Sequence, residues 1–230
     1  MQPAFIIFDC DGVLIDSEVI SARTLIIDLA RHGVVVDRPF VARHFLGRSF
    51  PTVRAYIHDH LGVRLPDGFE DEYRCRLFAA FEIELIAMAG VAEMLAALKV
   101  PFCLATSSSP MRLARSLQIV GLTHVFAGRS FTASEVARGK PAPDLFLHAA
   151  SKMGVDPSQC AVMEDSPTGL AAGLAAGMQV WRFTGGSHMN RADLELPDEL
   201  RPHRSFASFT ELRIELPILF QAPMSVTVSV

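Results

Sequence analysis

Short apolar runs alternate with helix-like segments along most of this chain, and few folds accommodate that pattern. The runs span residues 4–8, 102–105, 161–163 and 179–183, and a polar residue follows each of them. Segments that suit crossover helices lie at residues 91–98, 110–120, 143–153 and 167–176. Short continuous apolar runs are typical of buried parallel strands, and their alternation with helices is typical of α/β proteins. The sequence therefore predicts an α/β fold with a doubly wound parallel sheet.

Residues 17–88 break this alternation. They contain helical patterns at residues 20–32, 51–61 and 69–81, with no convincing strand, and nine arginines but no lysine. We therefore predict a core domain of residues 1–16 and 89–222, with an inserted all-helical cap domain of residues 17–88. Gly90 is a candidate hinge residue. Residues 223–230 form a C-terminal tail that the pattern leaves unassigned.

Composition excludes several classes of function. Half of the 230 residues are hydrophobic, so the chain can bury a large core, and the formal net charge of -4 argues against a nucleic-acid partner. No apolar stretch approaches the roughly 18 residues of a membrane span, and the N-terminal residues lack signal-peptide features. The four cysteines form no CxxC pair, which favours reduced thiols. We expect a cytoplasmic protein with no membrane partner, either a monomer or a weak homodimer.

Two acids, Asp9 and Asp11, follow the first predicted strand, with Gly12 directly after them. At a strand end, residues spaced by two project to the same side, so the two carboxylates share one small site. Such a pair implies a cation, a shared proton, or both. An Asx turn that closes the strand is the simpler alternative. A calcium loop of the EF-hand type is excluded, since Val13 and Leu14 occupy positions that need an oxygen ligand and a glycine.

Three further segments carry complementary chemistry. Thr106 and Ser107 follow the second apolar run and offer hydroxyls for an anion, Lys140 lies in a loop between glycine and two prolines, and Glu164 and Asp165 end the third run. Acids at a strand end are suitable oxygen ligands for Mg²⁺. Taken separately, the hydroxyls could cap a helix and the lysine could be a solvated loop residue. Their order along the chain favours a single site.

In sequence order, the segments DCDGV, ATSSS, GKPAPD and EDSPTG resemble the four signature motifs of the haloacid dehalogenase superfamily. The resemblance covers nearly the whole chain. The chain is similar in particular to the helical-cap subgroup, which includes β-phosphoglucomutases and sugar-phosphate phosphatases. The stretches DSEVISART and PFCLATSSSP look most like 6-phosphogluconate phosphatase-type members.

The resemblance implies a Mg²⁺-dependent reaction. It makes Asp9 the nucleophile that becomes an aspartyl phosphate, and Asp11 the general acid and then the general base. Thr106 and Lys140 would hold the transferring phosphoryl oxygens. The implied Mg²⁺ ligands are Asp9, the Asp11 carbonyl, Asp165 and Glu164.

Within the superfamily, the residues favour a phosphatase. Dehalogenases lack the second aspartate, and phosphonatases use a cap lysine, which residues 17–88 do not contain. The β-phosphoglucomutases are the main alternative. They typically carry a histidine where this chain has Ser21, and also a cap lysine. A non-catalytic phosphosugar-binding module is the second alternative, although such a protein would be expected to lack one of the catalytic residues.

Substrate choice is expected to depend on the cap, which closes over the site. The loop of residues 45–49 occupies the place where related enzymes contact substrate, so Arg48 and Ser49 are candidate substrate-binding residues. Arg23 elsewhere in the cap and Ser107 in the core are further candidates. Either arginine could instead be a solvated surface residue. The cap histidines show no metal-binding spacing. The expected partner is a small phosphorylated metabolite, a sugar or sugar-acid phosphate.

Overall fold

The computed structural model describes residues 2–189 and 196–221. The unassigned tail, residues 223–230, lies outside the described residues. Six strands form one sheet in the order β3-β2-β1-β4-β5-β6, and every neighbouring pair is parallel. The strands are β1 (Phe5–Phe8), β2 (Phe102–Thr106), β3 (Ser130–Thr132), β4 (Cys160–Glu164), β5 (Gln179–Phe183) and β6 (Arg204–Phe206).

The predicted α/β class with a doubly wound parallel sheet is confirmed. The four apolar runs correspond to β1, β2, β4 and β5. The short outer strands β3 and β6 were not predicted, because each has three residues and neither forms an apolar run. The chain winds from β1 through β2 to β3 on one side, and then from β4 to β6 on the other. This reversal places a crevice at the carboxyl ends of β1, β2 and β4.

Ten α-helices surround and extend the sheet within the described residues. They are α1 (Glu18–Arg31), α2 (Arg38–His44), α3 (Phe50–Leu61), α4 (Phe69–Glu84), α5 (Val91–Ala97), α6 (Pro110–Ile119), α7 (Thr123–Phe126), α8 (Asp144–Met153), α9 (Pro167–Ala175) and α10 (Phe209–Glu215). The sequence did not predict helix α2. Its N-cap residue is Asp37, whose carboxylate accepts a hydrogen bond from the backbone N–H of Phe40 at 2.9 Å. None of the helices in the described ranges is long and apolar enough to cross a membrane.

The strands bury both of their faces. In β1, Phe5 and Ile7 pack in a cluster with α8 and α9, whereas Ile6 and Phe8 belong to a larger cluster that continues into helices α1–α4. Alternate residues of a strand point to opposite faces, so one strand serves two cores. The larger cluster joins the sheet to the helices of residues 17–88, which are termed the cap segment from here on.

Two connections join the cap segment to the rest of the chain, and they run side by side. Ile15 and Ala87 form an antiparallel bridge, and the Met88 N–H donates to the Leu14 carbonyl at 2.9 Å. Gly90 has a φ of 76° just after the second connection. In the cap segment, α1 packs against α2 and α4, and α4 also packs against α6. The cap segment therefore contacts the helix that follows β2.

Candidate active site

Residues at the ends of three adjacent strands come together at the crevice. Asp9 directly follows β1, Thr106 ends β2 and Glu164 ends β4. The register aligns Phe8 with Leu104 on one side and with Met163 on the other. The carboxyl ends of β2, β1 and β4 therefore meet at one level of the sheet.

Three carboxylates form a buried acidic cluster. Asp9, Glu164 and Asp165 are at most 4% exposed, and one oxygen atom from each lies within 4.8 Å of the others. Burial raises the pKa of Asp9 well above its ordinary value, and the neighbouring acids raise it further while Lys140 opposes them. Burial and Glu164 likewise raise the pKa of Asp165. The cluster therefore holds negative charge at an electrostatic cost that a cation would relieve.

Lys140 reaches into this cluster from the loop before α8. Its Nζ donates to Asp9 Oδ1 at 2.7 Å and to Glu164 Oε1 at 2.6 Å, and the side chain is 1% exposed. Burial lowers the pKa of Lys140, but the two carboxylates outweigh burial and raise the pKa above its ordinary value. The ammonium group is therefore protonated. It supplies one positive charge to three carboxylates.

The cluster fits a divalent cation. The single Lys140 ammonium cannot balance the charge that three carboxylates can carry, and carboxylate oxygens are the ligands that Mg²⁺ prefers. Gly12 has a φ of 76°, and a Cβ at this position would overlap the Asp165 carboxylate. His188 Nε2 lies 3.0 Å from Asp165 Oδ2 on the other side. Asp9, Glu164 and Asp165 are thus the residues that could hold the metal.

The Asp11 carboxylate accepts hydrogen bonds from a different set of residues. Its Oδ1 accepts hydrogen bonds from Ser17 Oγ and Arg112 Nη2, and its Oδ2 accepts one from Ser108 Oγ, each at 2.6 Å. Burial alone would raise the pKa of Asp11. The Arg112 guanidinium and the serine hydroxyls outweigh burial and lower the pKa below its ordinary value, so the carboxylate is ionised.

Ser17, Ser108 and Arg112 were not predicted as site residues. Ser17 lies within the stretch DSEVISART and Ser108 within ATSSS, so the resemblance of these segments to the family could have indicated both residues. Arg112 is harder to find. Its backbone N–H bonds to the N-cap residue Ser109 at 3.4 Å, and side chains in the first turn of a helix after a strand end point toward the crevice.

Thr106 and Ser107 have different surroundings. Thr106 is buried, and its Oγ1 accepts a hydrogen bond from the Ser108 N–H at 3.0 Å, which leaves the hydroxyl proton available for an anion. Ser107 Oγ instead donates to the Gly47 carbonyl of the cap segment at 2.8 Å. Both residues line the same cavity as Asp9. Ser107 therefore also connects the core to the cap segment.

A cavity of about 280 Å³ lies between the strand ends and the cap segment. Its wall includes Asp9, Asp11 and Lys140 from the strand ends, and Arg48 and Tyr73 from the cap segment. Apolar cap side chains such as Leu25 and Phe50 form another part of the lining. The cavity therefore combines apolar walls with charged residues, including those at the strand ends, as is usual for small-molecule sites.

The structure separates the three cap candidates. Arg48 and Ser49 line the cavity, and Arg48 Nε is buried with no hydrogen-bond partner among the described residues. Ser49 Oγ lies 3.0 Å from Thr52 Oγ1 at the start of α3. Arg23 does not line the cavity. It forms a surface ion pair with Glu84 at 2.5 Å, with nearly half of its side chain exposed. Arg23 lies on the outer face of α1, a placement that its spacing alone did not reveal.

Glu18 was not predicted as a site residue, yet it is buried in the first turn of α1 and lines the cavity. Burial, with added repulsion from Asp11 and Asp165, raises its pKa to about 8. A carboxyl group with such a pKa is largely protonated at neutral pH. It can then donate a hydrogen bond within the cavity.

Comparisons with known proteins show which family the chain belongs to. The haloacid dehalogenase-like hydrolase family model matches residues 4–177. The 6-phosphogluconate phosphatase of Escherichia coli (strain K12) is 30% identical over 94% of both chains, and hexitol phosphatase A of the same organism is 34% identical over 76% of this chain and 80% of its own. The crystal structure of a haloacid dehalogenase family hydrolase from Deinococcus radiodurans, with bound phosphate and sodium, is 36% identical, covers 96% of this chain and 99% of its own, and has a TM-score of 0.73. The chain therefore belongs to the haloacid dehalogenase-like hydrolases and is a phosphoric monoester hydrolase of that family.

Proposed function

We propose that this protein is a Mg²⁺-dependent phosphatase that hydrolyses small phosphorylated metabolites, sugar or sugar-acid phosphates, through an aspartyl phosphate on Asp9. The observation that carries the proposal is the placement of Asp9. Its carboxylate belongs to the acidic cluster and contacts Lys140, at the end of a cavity closed by the cap segment. The names of the two curated relatives, a 6-phosphogluconate phosphatase and a hexitol phosphatase, support this class of substrate.

The first step forms the phosphoenzyme. An Asp9 carboxylate oxygen attacks phosphorus, and the bond between phosphorus and the ester oxygen breaks with its electron pair remaining on that oxygen. Asp11, which is protonated in the substrate complex because the nearby phosphoryl charge favours its neutral form, donates this proton to the leaving oxygen, which departs as an alcohol. Lys140 and the Thr106 hydroxyl bind the other phosphoryl oxygens and so stabilise their charge.

The second step releases phosphate. A water oxygen attacks phosphorus, Asp11 takes the proton from that water, and the bond between phosphorus and the Asp9 oxygen breaks to restore the carboxylate. Acid and base catalysis by one positioned group contributes about 10²- to 10⁴-fold. Mg²⁺, held by Asp9, Asp165 and Glu164, would neutralise charge on the phosphoryl group.

The cap side of the cavity favours a polar, phosphorylated metabolite. The cavity of about 280 Å³ suits a small molecule, and Arg48 presents a buried Nε–H without a partner among the described residues. A substrate hydroxyl or carboxylate would satisfy this donor. Ser49 and Ser107 lie beside it on the cavity wall.

The test is phosphate release from p-nitrophenyl phosphate by the wild type and by Asp9→Asn, with Mg²⁺ and with a chelator. We expect Mg²⁺-dependent turnover by the wild type and a loss of at least ~10³-fold in kcat for the variant. A screen of sugar phosphates, sugar-acid phosphates and nucleotides then defines the substrate, with isomerisation of β-glucose 1-phosphate as the test for a mutase. Turnover that is unaffected by Asp9→Asn would contradict the proposal.

A further inference from the structure

Arg112 contacts Asp11 and the cap segment with a single guanidinium group. Its Nη2 donates to Asp11 Oδ1 at 2.6 Å and also to Ser21 Oγ in α1 at 3.0 Å. The guanidinium carbon lies 5.5 Å from the centre of the Phe81 ring in α4. Arg112 itself belongs to α6 of the core. One side chain of the core therefore contacts a proposed catalytic carboxylate and two helices of the cap segment.

These contacts close a ring of hydrogen bonds. Ser21 Oγ accepts from Arg112 and donates to the Ser17 carbonyl at 2.8 Å, and Ser17 Oγ donates to Asp11 at 2.6 Å. Both serines lie at the start of the cap segment, one as the N-cap residue of α1 and the other in its first turn. The direction of the Asp11 carboxylate is therefore linked to the placement of α1.

The hydrogen bond to Ser21 and the contact with the aromatic ring of Phe81 hold the Arg112 guanidinium only while α1 and α4 lie against α6. A planar guanidinium with several donors is suited to fix two partners at once, which a single ammonium group does less well. If the cap segment moves away, Arg112 loses Ser21 and Phe81 and retains Asp11 alone. The carboxylate would keep its hydrogen bonds to Ser108 and Arg112, but the Arg112 side chain would no longer be held in one position.

We propose that Arg112 is a positioning residue that orients Asp11 for proton transfer when the cap segment is docked, so that departure of the leaving group is coupled to cap docking. The inference rests on the proposed function, because it assigns the proton transfer to Asp11. It adds a residue outside the four motifs, and a reason for that residue to contact both parts of the molecule.

The leaving group provides the test. A sugar or other alkyl alkoxide requires a proton as it departs, whereas p-nitrophenolate is stable as an anion. The ratio kcat/KM reports the steps up to formation of the phosphoenzyme, and these include departure of the leaving group. A fault in proton transfer therefore lowers kcat/KM for an alkyl phosphate more than for p-nitrophenyl phosphate. A general loss of folding or of metal binding lowers both equally.

We expect Arg112→Ala to lower kcat/KM about 10²-fold for the preferred alkyl phosphate and less than ~10-fold for p-nitrophenyl phosphate. Added guanidinium ion, which fits the space left by the side chain, should restore part of the activity on the alkyl phosphate. Equal losses on both substrates by a variant that remains folded would overturn the inference.

Ser21→Ala removes the link to the cap while leaving the pair between Arg112 and Asp11, so it tests the coupling even if Arg112→Ala does not fold. We expect a loss of ~10-fold on the alkyl phosphate and little change on p-nitrophenyl phosphate. Thr24→Val is the matched control, because the Thr24 hydroxyl also bonds to the carbonyl four residues earlier, at 2.9 Å, but does not contact Arg112. The same effect from both variants would overturn the coupling.

The two proposals fail in different ways. A wild type without Mg²⁺-dependent phosphate release would overturn the proposed function and this inference with it. An active wild type whose Arg112→Ala and Ser21→Ala variants show no dependence on the leaving group would overturn this inference alone.

Discussion

At the scale of single residues, charge balance dominates the site. Lys140 is the cation that contacts two of the three clustered carboxylates, Asp9 and Glu164. Gly12 provides the space in which the third carboxylate, that of Asp165, lies. Both residues act through their effect on the acidic cluster, and each can be tested without measuring turnover.

Replacement of Lys140 by Met should leave the buried carboxylates without a compensating charge. Loss of one partner of a buried ion pair typically lowers the free energy of unfolding by about 3–5 kcal/mol. We expect such a decrease in urea unfolding without metal, with partial recovery when Mg²⁺ is added. Lys152→Met, at an exposed position of α8, is the control and should unfold like the wild type. A stability equal to that of the wild type would show that the three carboxylates do not depend on Lys140.

Gly12→Ala tests the metal site. The added Cβ would overlap the Asp165 carboxylate, and the φ of 76° is unfavourable for alanine. We expect Mg²⁺ affinity, measured by calorimetry, to fall by ~10-fold or more, as is typical when a ligand's support is disturbed. Gly33→Ala separates the two causes, because Gly33 has a φ of 79° and no neighbouring atom within 4 Å of an added Cβ. Unchanged Mg²⁺ affinity in Gly12→Ala would remove Asp165 from the proposed ligands.

At the scale of elements, the strands explain how much the sequence could predict. Asp9, Thr106 and Glu164 could be predicted to lie close together because each stands at the end of an apolar run, and parallel strands bring such ends together. The positions of Arg112 and Glu18 depend instead on how α1, α4 and α6 pack. Contacts between residues 11 and 112 leave no local pattern in the chain, so the sequence alone could not reveal them. Spacing likewise does not show which face of α1 meets the cavity, so it could not reveal that Arg23 pairs with Glu84 away from the cavity.

The loop of residues 45–49 packs the cap segment closely against the core. Gly47 has a φ of 72°, and a Cβ there would overlap Ser166 and Thr168 at the start of α9. Its carbonyl accepts the hydrogen bond from Ser107 at 2.8 Å. The loop and the core therefore touch with no room for a side chain.

Gly47→Ala should push this loop away from the core and move Arg48 with it. We expect KM for the preferred substrate to rise ~10-fold, with a smaller change for p-nitrophenyl phosphate, in steady-state kinetics. Gly62→Ala is the matched control, because Gly62 has a φ of 68° in the cap segment and an added Cβ would meet nothing within 4 Å. Equal KM values for Gly47→Ala and the wild type would mean that this contact does not set the cavity.

At the scale of the whole molecule, the cap segment and the core bury acidic groups between them, and stability should respond to pH. The pKa of Glu18 is raised from 4.5 to about 8 by burial first and by Asp11 and Asp165 next. A raised pKa means that the folded state binds the proton more tightly. The stabilisation from the protonated form is complete below about pH 4.5 and is lost as the pH rises to about 8.

Glu18→Gln should remove this dependence. We expect the unfolding free energy of the wild type, relative to the variant, to fall between about pH 4.5 and 8, since each unit of pKa difference corresponds to about 1.4 kcal/mol. Chemical denaturation at several pH values measures the difference. Glu199→Gln, at an exposed position, should follow the wild type. Parallel curves for the wild type and Glu18→Gln would mean that Glu18 titrates normally.

The central claim is that phosphate is transferred to Asp9, and trapping of that intermediate tests it most directly. The Asp11→Asn variant is mixed with Mg²⁺ and p-nitrophenyl phosphate, whose leaving group needs no proton, so that the phosphoenzyme forms but is not hydrolysed. The mixture is then quenched and reduced with borohydride, which converts an aspartyl phosphate to homoserine. Peptide mass spectrometry should find homoserine at position 9 and an unmodified aspartate at position 9 when substrate is omitted. A substrate-dependent homoserine at another aspartate, or none in an enzyme that still turns over, would contradict the account.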